Sequence, residues 1–191
     1  MAITRIYYGF DSLPHIASPV VTIGSFDGVH RGHADLLGYV TARAHEVGGE
    51  SVVVTFSPHP REVLPRGGDD FRLLTTTERK AELLGDLGVD CMVVAEFTPQ
   101  FAALTSEEFV RDYLVGKLGM HTLVVGYNHR FGHERDIAPD HYEQLALKYG
   151  FEVVRAAEYR FEGERVSSSV VRRLIAEGNI QQAEKLLGHK L

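Results

Sequence analysis

The sequence predicts an α/β fold: a mainly parallel, doubly wound sheet of five or more strands with helices on both of its faces. Two observations lead to this prediction. Short valine-rich apolar runs alternate with longer amphipathic segments along the 191 residues, as they do in chains built from β-α-β units. The segment 51–56 (SVVVTF) is a continuous apolar run, which is typical of a strand buried on both faces of a parallel sheet.

The predicted elements follow one another in a regular order. Apolar runs predict strands at 20–24, 51–56, 91–96, 122–127 and 151–156. Amphipathic segments predict helices at 32–47, 75–87, 105–118, 140–149, 168–177 and 180–187. Thr75 with Glu78, and Thr105 with Glu108, have the spacing of capping boxes that begin two of these helices. A short hairpin or extended segment is expected at 159–166.

The composition indicates one soluble globular domain. Hydrophobic residues make up 44% and charged residues 24% of the chain, and the net charge of -6 argues against a nucleic-acid partner held by phosphate neutralisation. No apolar run approaches the roughly 20 residues that cross a bilayer, and no signal-peptide pattern opens the sequence. The single cysteine, Cys91, excludes an internal disulfide and fits a reducing compartment. We therefore expect a cytoplasmic protein without a membrane partner.

The segment 24–33 (GSFDGVHRGH) joins the first predicted strand to the first predicted helix through a glycine-rich turn. Backbone N–H groups and the helix dipole converge on an anion at such a place, so we expect a phosphate site here. The segment also carries two histidines, His30 and His33. A plain phosphate site does not need them, but phosphate chemistry can use them.

Other unusual segments fall at the same edge of the predicted sheet. Ser57–Pro58–His59–Pro60–Arg61 follows the second strand, the segment 126–133 follows the fourth, and three serines at 167–169 precede a late helix. Ligands of open α/β sheets bind beyond the carboxyl ends of the strands. The sequence therefore predicts that these segments form one site.

The chemistry of His30 and His33 has three interpretations. With three-residue spacing at a helix start the two imidazoles face the same side, and a metal site would need a third ligand. As hydrogen-bond donors they would stabilise charge that develops on a phosphoryl group, for example the α-phosphate of ATP during adenylyl transfer. The third interpretation is a tight turn with two surface histidines.

Four blocks of the sequence together resemble a known enzyme family. The segment 24–33 resembles the His-x-Gly-His signature of the nucleotidyltransferase superfamily, and its Phe26–Asp27–Gly28 extension resembles the FAD synthetase (FMN adenylyltransferase) domain of the bifunctional riboflavin kinase/FAD synthetase family. The blocks 55–60 (TFSPHP), 125–132 (VGYNHRFG) and 166–172 (VSSSVVR) agree in order and spacing. The resemblance extends over residues 20–187 and implies a Rossmann-like nucleotidyltransferase fold.

The resemblance implies transfer of AMP from ATP to FMN, giving FAD and pyrophosphate. Mg²⁺ would be bound mainly through the ATP phosphates, so no metal-ligating residue is assigned. The catalytic residues would be His30, His33 and Arg172. Asp27 would lie close to the phosphates or metal. The residues assigned to ATP are Gly24, Phe26, Asp27, Gly28, His30, Gly32, His33, Ser167, Ser168, Ser169 and Arg172. Simple N-capping is the alternative role of the serines.

The second and third blocks are assigned to the flavin. The residues concerned are Pro58, His59, Pro60, Leu64, Asn128 and Phe131. The two prolines fix a rigid loop, Phe131 offers a ring on which the isoalloxazine can stack, and Asn128 can both donate and accept hydrogen bonds. His59 either orients the loop through a hydrogen bond or contacts the ligand. Leu64 stands where some relatives carry an aromatic residue.

The resemblance also predicts the domain organisation. Residues 1–187 form the adenylyltransferase domain and residues 188–191 begin a linker. Bifunctional relatives continue into a riboflavin kinase domain, which this sequence lacks, so we do not expect riboflavin phosphorylation; in a longer protein such a domain would be a C-terminal partner. Two alternatives stay open, an adenylyl- or cytidylyltransferase acting on another phosphorylated acceptor, and a non-catalytic flavin-nucleotide-binding module.

Overall fold

The computed structural model describes residues 4–64, 71–127, 131 and 138–191. Within this part of the chain six strands form a single parallel sheet in the order β1-β4-β3-β2-β5-β6. The strands are β1 (Arg5–Tyr8), β2 (Val20–Ile23), β3 (Ser51–Ser57), β4 (Cys91–Glu96), β5 (Thr122–Val125) and β6 (Glu152–Arg155). The prediction of a parallel sheet of five or more strands is confirmed.

Helices connect the successive strands from β2 to β6 and cover the sheet. They are α1 (Arg31–Val47), α2 (Pro60–Val63), α3 (Thr77–Asp86), α4 (Pro99–Ala102), α5 (Ser106–Phe109), α6 (His141–Tyr149), α7 (Ser168–Ala176) and α8 (Ile180–Leu187). A π-helical segment, Val110–Val115, continues α5, so the helix predicted at 105–118 is built from two kinds of turn. The expected hairpin forms as β7 (Arg160–Phe161) and β8 (Glu164–Arg165).

The two predicted capping boxes have different outcomes. Thr105 accepts from the backbone N–H of Glu108 at 3.1 Å, and the Glu108 carboxylate accepts from the N–H of Thr105 at 2.8 Å, as predicted. The box that begins at Thr75 is wrong, because Thr76 is the N-cap of α3 and accepts from the N–H of Arg79 at 3.2 Å. The Thr75 hydroxyl is used elsewhere, in the turn after β2.

Valine alternation divides the core between the two faces of the sheet. Val52 and Val54 pack on one face with Cys91, and Val53 packs on the other with Leu84, because successive strand residues point to opposite faces. All five are fully buried. The cysteine is therefore a core residue.

The strand order fixes where a ligand can bind. From β2 the chain builds outward to β3 and β4 on one side, and later to β5 and β6 on the other. The connections that leave the carboxyl ends of β2 and β5 therefore diverge, which opens a crevice at this edge. Every polar segment discussed below borders that crevice.

In the described ranges we find no helix with the length and apolar character needed to pass through a membrane.

Candidate active site

The turn between β2 and α1 has an unusual backbone. Phe26 and Val29 adopt positive φ angles of 46° and 37°, and Gly28 has a φ of 81°. Positive φ costs a non-glycine residue of order 1–3 kcal/mol, so the surrounding structure must hold the turn in place. One anchor is the N–H of Gly28, which donates to the hydroxyl of Thr75 at 3.0 Å.

His30 is the N-cap of α1 and has a defined proton position. Its Nδ1 accepts from the backbone N–H of His33 at 3.2 Å, so a neutral ring carries its proton on Nε2. Burial lowers the pKa of His30 to about 4, which keeps the ring neutral at pH 7. The ring stacks on that of His33 at a centroid distance of 3.6 Å and an interplanar angle of 11°. His30 is therefore a fixed, uncharged N–H donor.

The Asp27 carboxylate is fully buried and is occupied by protein donors. It accepts from the N–H groups of Leu74 and Thr75, both at 3.0 Å, and from the Thr75 hydroxyl at 3.2 Å. Arg172 forms an ion pair with the same carboxylate. Four protein donors therefore surround the carboxylate and fix the turn to Thr75 and Arg172. That Asp27 lies close to the phosphates or metal stays a prediction.

Arg172 is held on three sides. Beside its ion pair with Asp27, its Nε donates to the backbone carbonyl of Arg72 at 2.8 Å, and its guanidinium lies 4.5 Å from the centroid of the Phe71 ring. Such stacking orients a guanidinium and adds a cation–π attraction. These three contacts fix the position of the Arg172 guanidinium.

The serine block divides into two roles. Ser167 caps α7 by accepting from the N–H of Val170 at 3.4 Å, which is the role given by the simpler interpretation. Ser168 donates to the backbone carbonyl of Asp27 at 2.8 Å and so fastens α7 to the turn. Ser169 is exposed at the start of the same helix.

These segments surround a pocket of about 380 Å³ that we call the anion pocket. Its lining residues are Ser25, His30, His33, His59, Arg61, Arg165, Val166, Ser167, Ser168, Ser169 and Arg172. Among these lining residues three are arginines and none is acidic, although the whole chain has a net charge of -6. Guanidinium, imidazole and hydroxyl donors together suit a phosphate group.

A second pocket, of about 140 Å³, lies next to the anion pocket at the divergence of β2 and β5, and we call it the switch-point pocket. Its lining residues are His30, Gly32, His33, Asp35, Leu36, Gly126, Tyr127, Ala156, Ala157, Glu158, Tyr159, Arg165 and Val166. The two pockets share His30, His33, Arg165 and Val166. The two histidines therefore lie on the wall between them.

Comparison with known sequences identifies the family. The sequence model described as FAD synthetase matches residues 14–170. This chain belongs to the FAD synthetase family.

Two curated relatives illustrate the similarity to FAD synthetases. A protein of Escherichia coli (strain K12), described as a bifunctional riboflavin kinase/FMN adenylyltransferase, is 36% identical over 170 residues, covering 89% of this chain and 54% of its own length. A protein of Pseudomonas fluorescens with the same description is 39% identical over 169 residues, covering 88% of this chain and 54% of its own length. The chain spans about half the length of these relatives.

Solved structures agree on the fold. A crystal structure from Streptococcus pneumoniae, described as a macrolide-efflux protein, superposes with a TM-score of 0.84 at 29% identity, covering 99% of this chain and 62% of its own. Pantothenate synthetase from Thermus thermophilus gives a TM-score of 0.52 at 15% identity, covering 97% of this chain and 81% of its own. This second likeness concerns the fold alone.

In this FAD synthetase family member, two glycines of the turn serve packing. A Cβ on Gly28 would lie 2.8 Å from a Leu74 methyl carbon and 3.2 Å from one of Leu187. The carbonyl of Gly28 is 2.9 Å from the Nε2 of His189, so both backbone polar groups of Gly28 have protein partners. A Cβ on Gly24 would meet the ring of Phe26 at 3.0 Å. The assignment of Gly24 and Gly28 to ATP stays a prediction.

Phe26 and Gly32 complete the residues assigned to ATP. The ring of Phe26 is buried, and its centroid lies 4.9 Å from that of the His33 ring. Phe26 therefore packs against His33. Gly32 lines the switch-point pocket, where a Cβ would lie 3.4 Å from the His30 ring. Gly32 therefore leaves room beside His30.

The residues assigned to the flavin lie in different environments. His59 caps α2, where its Nδ1 accepts from the N–H of Arg61 at 3.1 Å and its own N–H donates to Glu62 at 2.7 Å. These hydrogen bonds orient the loop, which is one of the two roles predicted for His59. His59 also lines the anion pocket. Pro60 occupies the first turn of α2, after Pro58, and Leu64 is 52% exposed.

Phe131 lies in the core of the protein. It is 8% exposed and stacks on Tyr142 with ring centroids 4.9 Å apart, and its N–H donates to the Tyr142 hydroxyl at 3.2 Å. Tyr142 therefore stacks on the Phe131 ring, and the assignment of Phe131 to the flavin stays a prediction. Asn128 lies outside the described residues, so its assignment to the flavin stays a prediction.

Three residues that hold the site escaped the sequence reasoning: Thr75, Phe71 and Lys80. Thr75 is one of three consecutive threonines, and nothing local distinguishes it from the cap at Thr76. Phe71 stacks with His59 at 4.6 Å and with Arg172, contacts across the sequence that no motif encodes. Lys80 lies four residues before Leu84 on the buried face of α3, where a lysine is unusual.

The described residues contain no group of three or more His, Cys, Asp or Glu side chains that could hold a metal ion. The histidine pair therefore has no third protein ligand in this part of the chain, and its stacked geometry suits donors better than metal ligands.

Proposed function

We propose that this chain transfers the adenylyl group of ATP to FMN, giving FAD and pyrophosphate. One observation carries the proposal: His30 and His33 lie on the wall shared by the switch-point pocket and the anion pocket. A nucleoside triphosphate with its nucleoside in the first pocket and its β- and γ-phosphates in the second has its α-phosphate at that wall. Relatives described as FMN adenylyltransferases support FMN as the acceptor.

The reaction is an in-line substitution at phosphorus. A phosphate oxygen of FMN attacks the α-phosphorus, the bond from that phosphorus to the α,β-bridging oxygen breaks, and pyrophosphate leaves with the electron pair. Catalysis of this kind depends on positioning and on neutralising charge at the α-phosphoryl oxygens. The Nε2–H of His30, fixed by the bond between Nδ1 and the His33 N–H, is the donor to those oxygens. Donors of this kind contribute about 10²–10³ in rate.

The cationic residues of the anion pocket have a separate task. Arg172 binds the β- and γ-phosphates and the departing pyrophosphate, together with the exposed hydroxyl of Ser169, while Ser168 holds α7 against the turn. A guanidinium offers two parallel donors to a phosphate, so it fixes orientation as well as charge. Asp27 acts through Arg172 and touches no phosphate itself.

Mg²⁺ belongs to the proposal as part of the substrate MgATP. The described residues offer no cluster of ligands for a resident metal, and the donors around Asp27 already occupy its carboxylate. The ion would supply charge neutralisation on the triphosphate.

The flavin side is proposed from the loop that follows β3. Pro58, His59 and Pro60 lead from β3 into α2 at the rim of the anion pocket, which is the side from which an acceptor phosphate can reach the α-phosphate. Leu64 follows at the exposed end of this loop, with Asn128 and Phe131 completing the assigned set. The Phe56 ring, 5.5 Å from Phe97 and 6.1 Å from Phe101, adds apolar surface beside the loop.

We further propose that residues 1–187 form the adenylyltransferase domain and that these residues do not phosphorylate riboflavin. The family match to residues 14–170 supports the first part. His189 and Gly188 pack against Gly28 and Arg31, so the beginning of the expected linker rests on the domain. The relatives' riboflavin kinase activity would lie in the half of their length that this chain does not match.

An acceptor panel tests the proposal. The purified chain is incubated with MgATP and FMN, riboflavin, nicotinamide mononucleotide, phosphopantetheine or glycerol phosphate, and both pyrophosphate and the adenylylated product are quantified. We expect FAD and pyrophosphate in equal amounts from FMN alone. Product from another acceptor, or equal use of riboflavin, would overturn the assignment.

The variant H30A tests the role of His30. It should bind FMN yet release at least about 100-fold less pyrophosphate than the wild type. Unchanged turnover would contradict the role of His30.

A further inference from the structure

A lysine is buried directly behind the anion pocket. Lys80 projects from α3 and is only 5% exposed, and its Nζ donates to the Ser25 carbonyl at 2.7 Å and to the Thr55 hydroxyl at 3.0 Å. The Thr55 hydroxyl donates in turn to the same Ser25 carbonyl at 3.1 Å. Three elements, β3, α3 and the turn after β2, therefore meet at one ammonium group.

The position is costly for a cation. Burying an ammonium without a charged partner costs several kcal/mol, and among the described residues Lys80 forms no ion pair. Its two partners are neutral oxygens, and the nearby carboxylate of Asp27 is already paired with Arg172. Burial lowers the pKa of Lys80 to about 8 while the charge of Asp27 raises it, so the group is still largely protonated at pH 7.

Ser25 separates the Lys80 ammonium group from the anion pocket. Ser25 lines the anion pocket, and the Lys80 ammonium contacts the carbonyl of that residue. The same carbonyl precedes Phe26, whose φ of 46° begins the strained part of the turn. The field of Lys80 also reaches His59 in the pocket wall: the pKa of His59 is about 4, lowered mainly by burial and also by the charges of Arg172 and Lys80, against the carboxylate of Asp27.

We propose that Lys80 is a positioning residue for nucleotide binding: it fixes the turn through the Ser25 carbonyl, and its uncompensated charge favours an anionic triphosphate in the anion pocket. The inference rests on the proposed function, because it takes ATP as the ligand. No motif of the sequence points to Lys80, and it does not touch the reacting atoms.

The test separates charge from structure with two ligands that differ in charge. Affinities for ATP and for uncharged adenosine are measured by calorimetry for the wild type and K80Q, which keeps a donor and loses the charge. We expect ATP affinity to fall about tenfold or more and adenosine affinity to change less than twofold. If K80Q is unstable, K80M makes the same charge change with a side chain suited to a buried site.

Two further variants serve as controls. K80R keeps the charge and should retain ATP affinity within about threefold. R79Q removes a charge from the neighbouring, exposed position, where Arg79 pairs with Glu82, and should change neither affinity. An equal loss of ATP and adenosine binding in K80Q, or no loss of either, would overturn the proposal, as would a K80R variant as weak as K80Q.

The outcomes for Lys80 and for the proposed function are distinct. A wild-type chain that binds ATP but forms no FAD contradicts the proposed reaction, while the ATP-to-adenosine comparison still decides the role of Lys80. A wild-type chain that binds no ATP overturns both.

Discussion

Arg172 pairs with the carboxylate of Asp27 across 145 residues of sequence, and this ion pair joins the turn after β2 to helix α7. The Asp27 side chain is only 1% exposed and that of Arg172 16%. This largely buried pair therefore holds the turn and α7 together at the site. It also places a guanidinium in the lining of the anion pocket.

Removing the Asp27 charge should destabilise the protein. D27N leaves Arg172 beside a neutral amide and sets an NH₂ group against the donors of Leu74 and Thr75. Breaking a buried pair in this way costs about 3–5 kcal/mol. Urea unfolding with linear extrapolation measures the change, and D112N is the matched control. Asp112 pairs with Arg111 on the surface, so its loss should cost about 1 kcal/mol or less. Equal effects of the two variants would contradict the account.

Adjacent threonines offer a matched pair of substitutions. T75V removes the hydroxyl that accepts from Gly28 and donates to Asp27, leaving a buried N–H without its acceptor at about 1–3 kcal/mol. T76V removes only the N-cap of α3, at about 1 kcal/mol. We expect T75V to reduce FAD formation as well as stability, and T76V to reduce stability alone. A T76V variant that loses activity as T75V does would count against the turn as the site.

Stability should fall in acid because of His30. Its pKa is about 4 in the folded protein, against 6.5 for an ordinary histidine. The unfolded chain therefore binds the proton at higher pH, so stability is complete above pH 6.5 and is lost as the pH falls towards 4. The shift corresponds to about 3 kcal/mol.

Chemical denaturation at pH 7 and pH 4 measures this loss. H30N cannot titrate but still offers a capping oxygen, so it should lose about 3 kcal/mol less than the wild type over that range. His59, whose pKa is lowered to about 4 as well, contributes equally to both proteins and cancels. The exposed His45 supplies the control, since H45N should follow the wild type. A wild-type loss no larger than that of H30N would contradict a neutral, buried His30.

Phe71 should set the affinity for ATP through the guanidinium stacked on it. F71L removes a cation–π contact with Arg172 worth about 1 kcal/mol, and the KM for ATP should rise about three- to fivefold with little change in the KM for FMN. Y149L removes a comparable contact with Lys148 on α6 and should leave both constants unchanged. A selective rise in the KM for FMN would show that Phe71 serves the flavin instead.

Local patterns predicted much of the fold, because buried strands and amphipathic helices leave periodic signals. They missed β1 at the sheet edge, since only the two central residues of its RIYY sequence are partly buried and the two end residues are exposed. The motif located His30 and His33 correctly in the turn. It did not reveal that Asp27 faces Arg172 and Thr75, or that Phe131 stacks on Tyr142, because these contacts depend on residues distant in sequence. Lys80 was missed for a different reason. A lysine on a helix is usually solvent-exposed, so its place in the sequence does not indicate a buried ammonium group.

The fate of labelled phosphate distinguishes adenylyl transfer at the wall formed by His30 and His33 from other reactions of ATP. The chain is incubated with FMN and MgATP that carries ³²P in either the α or the γ position. We expect α-label in FAD and γ-label only in pyrophosphate. Transfer of γ-label to the flavin, or release of γ-label as inorganic phosphate without FAD, would contradict adenylyl transfer.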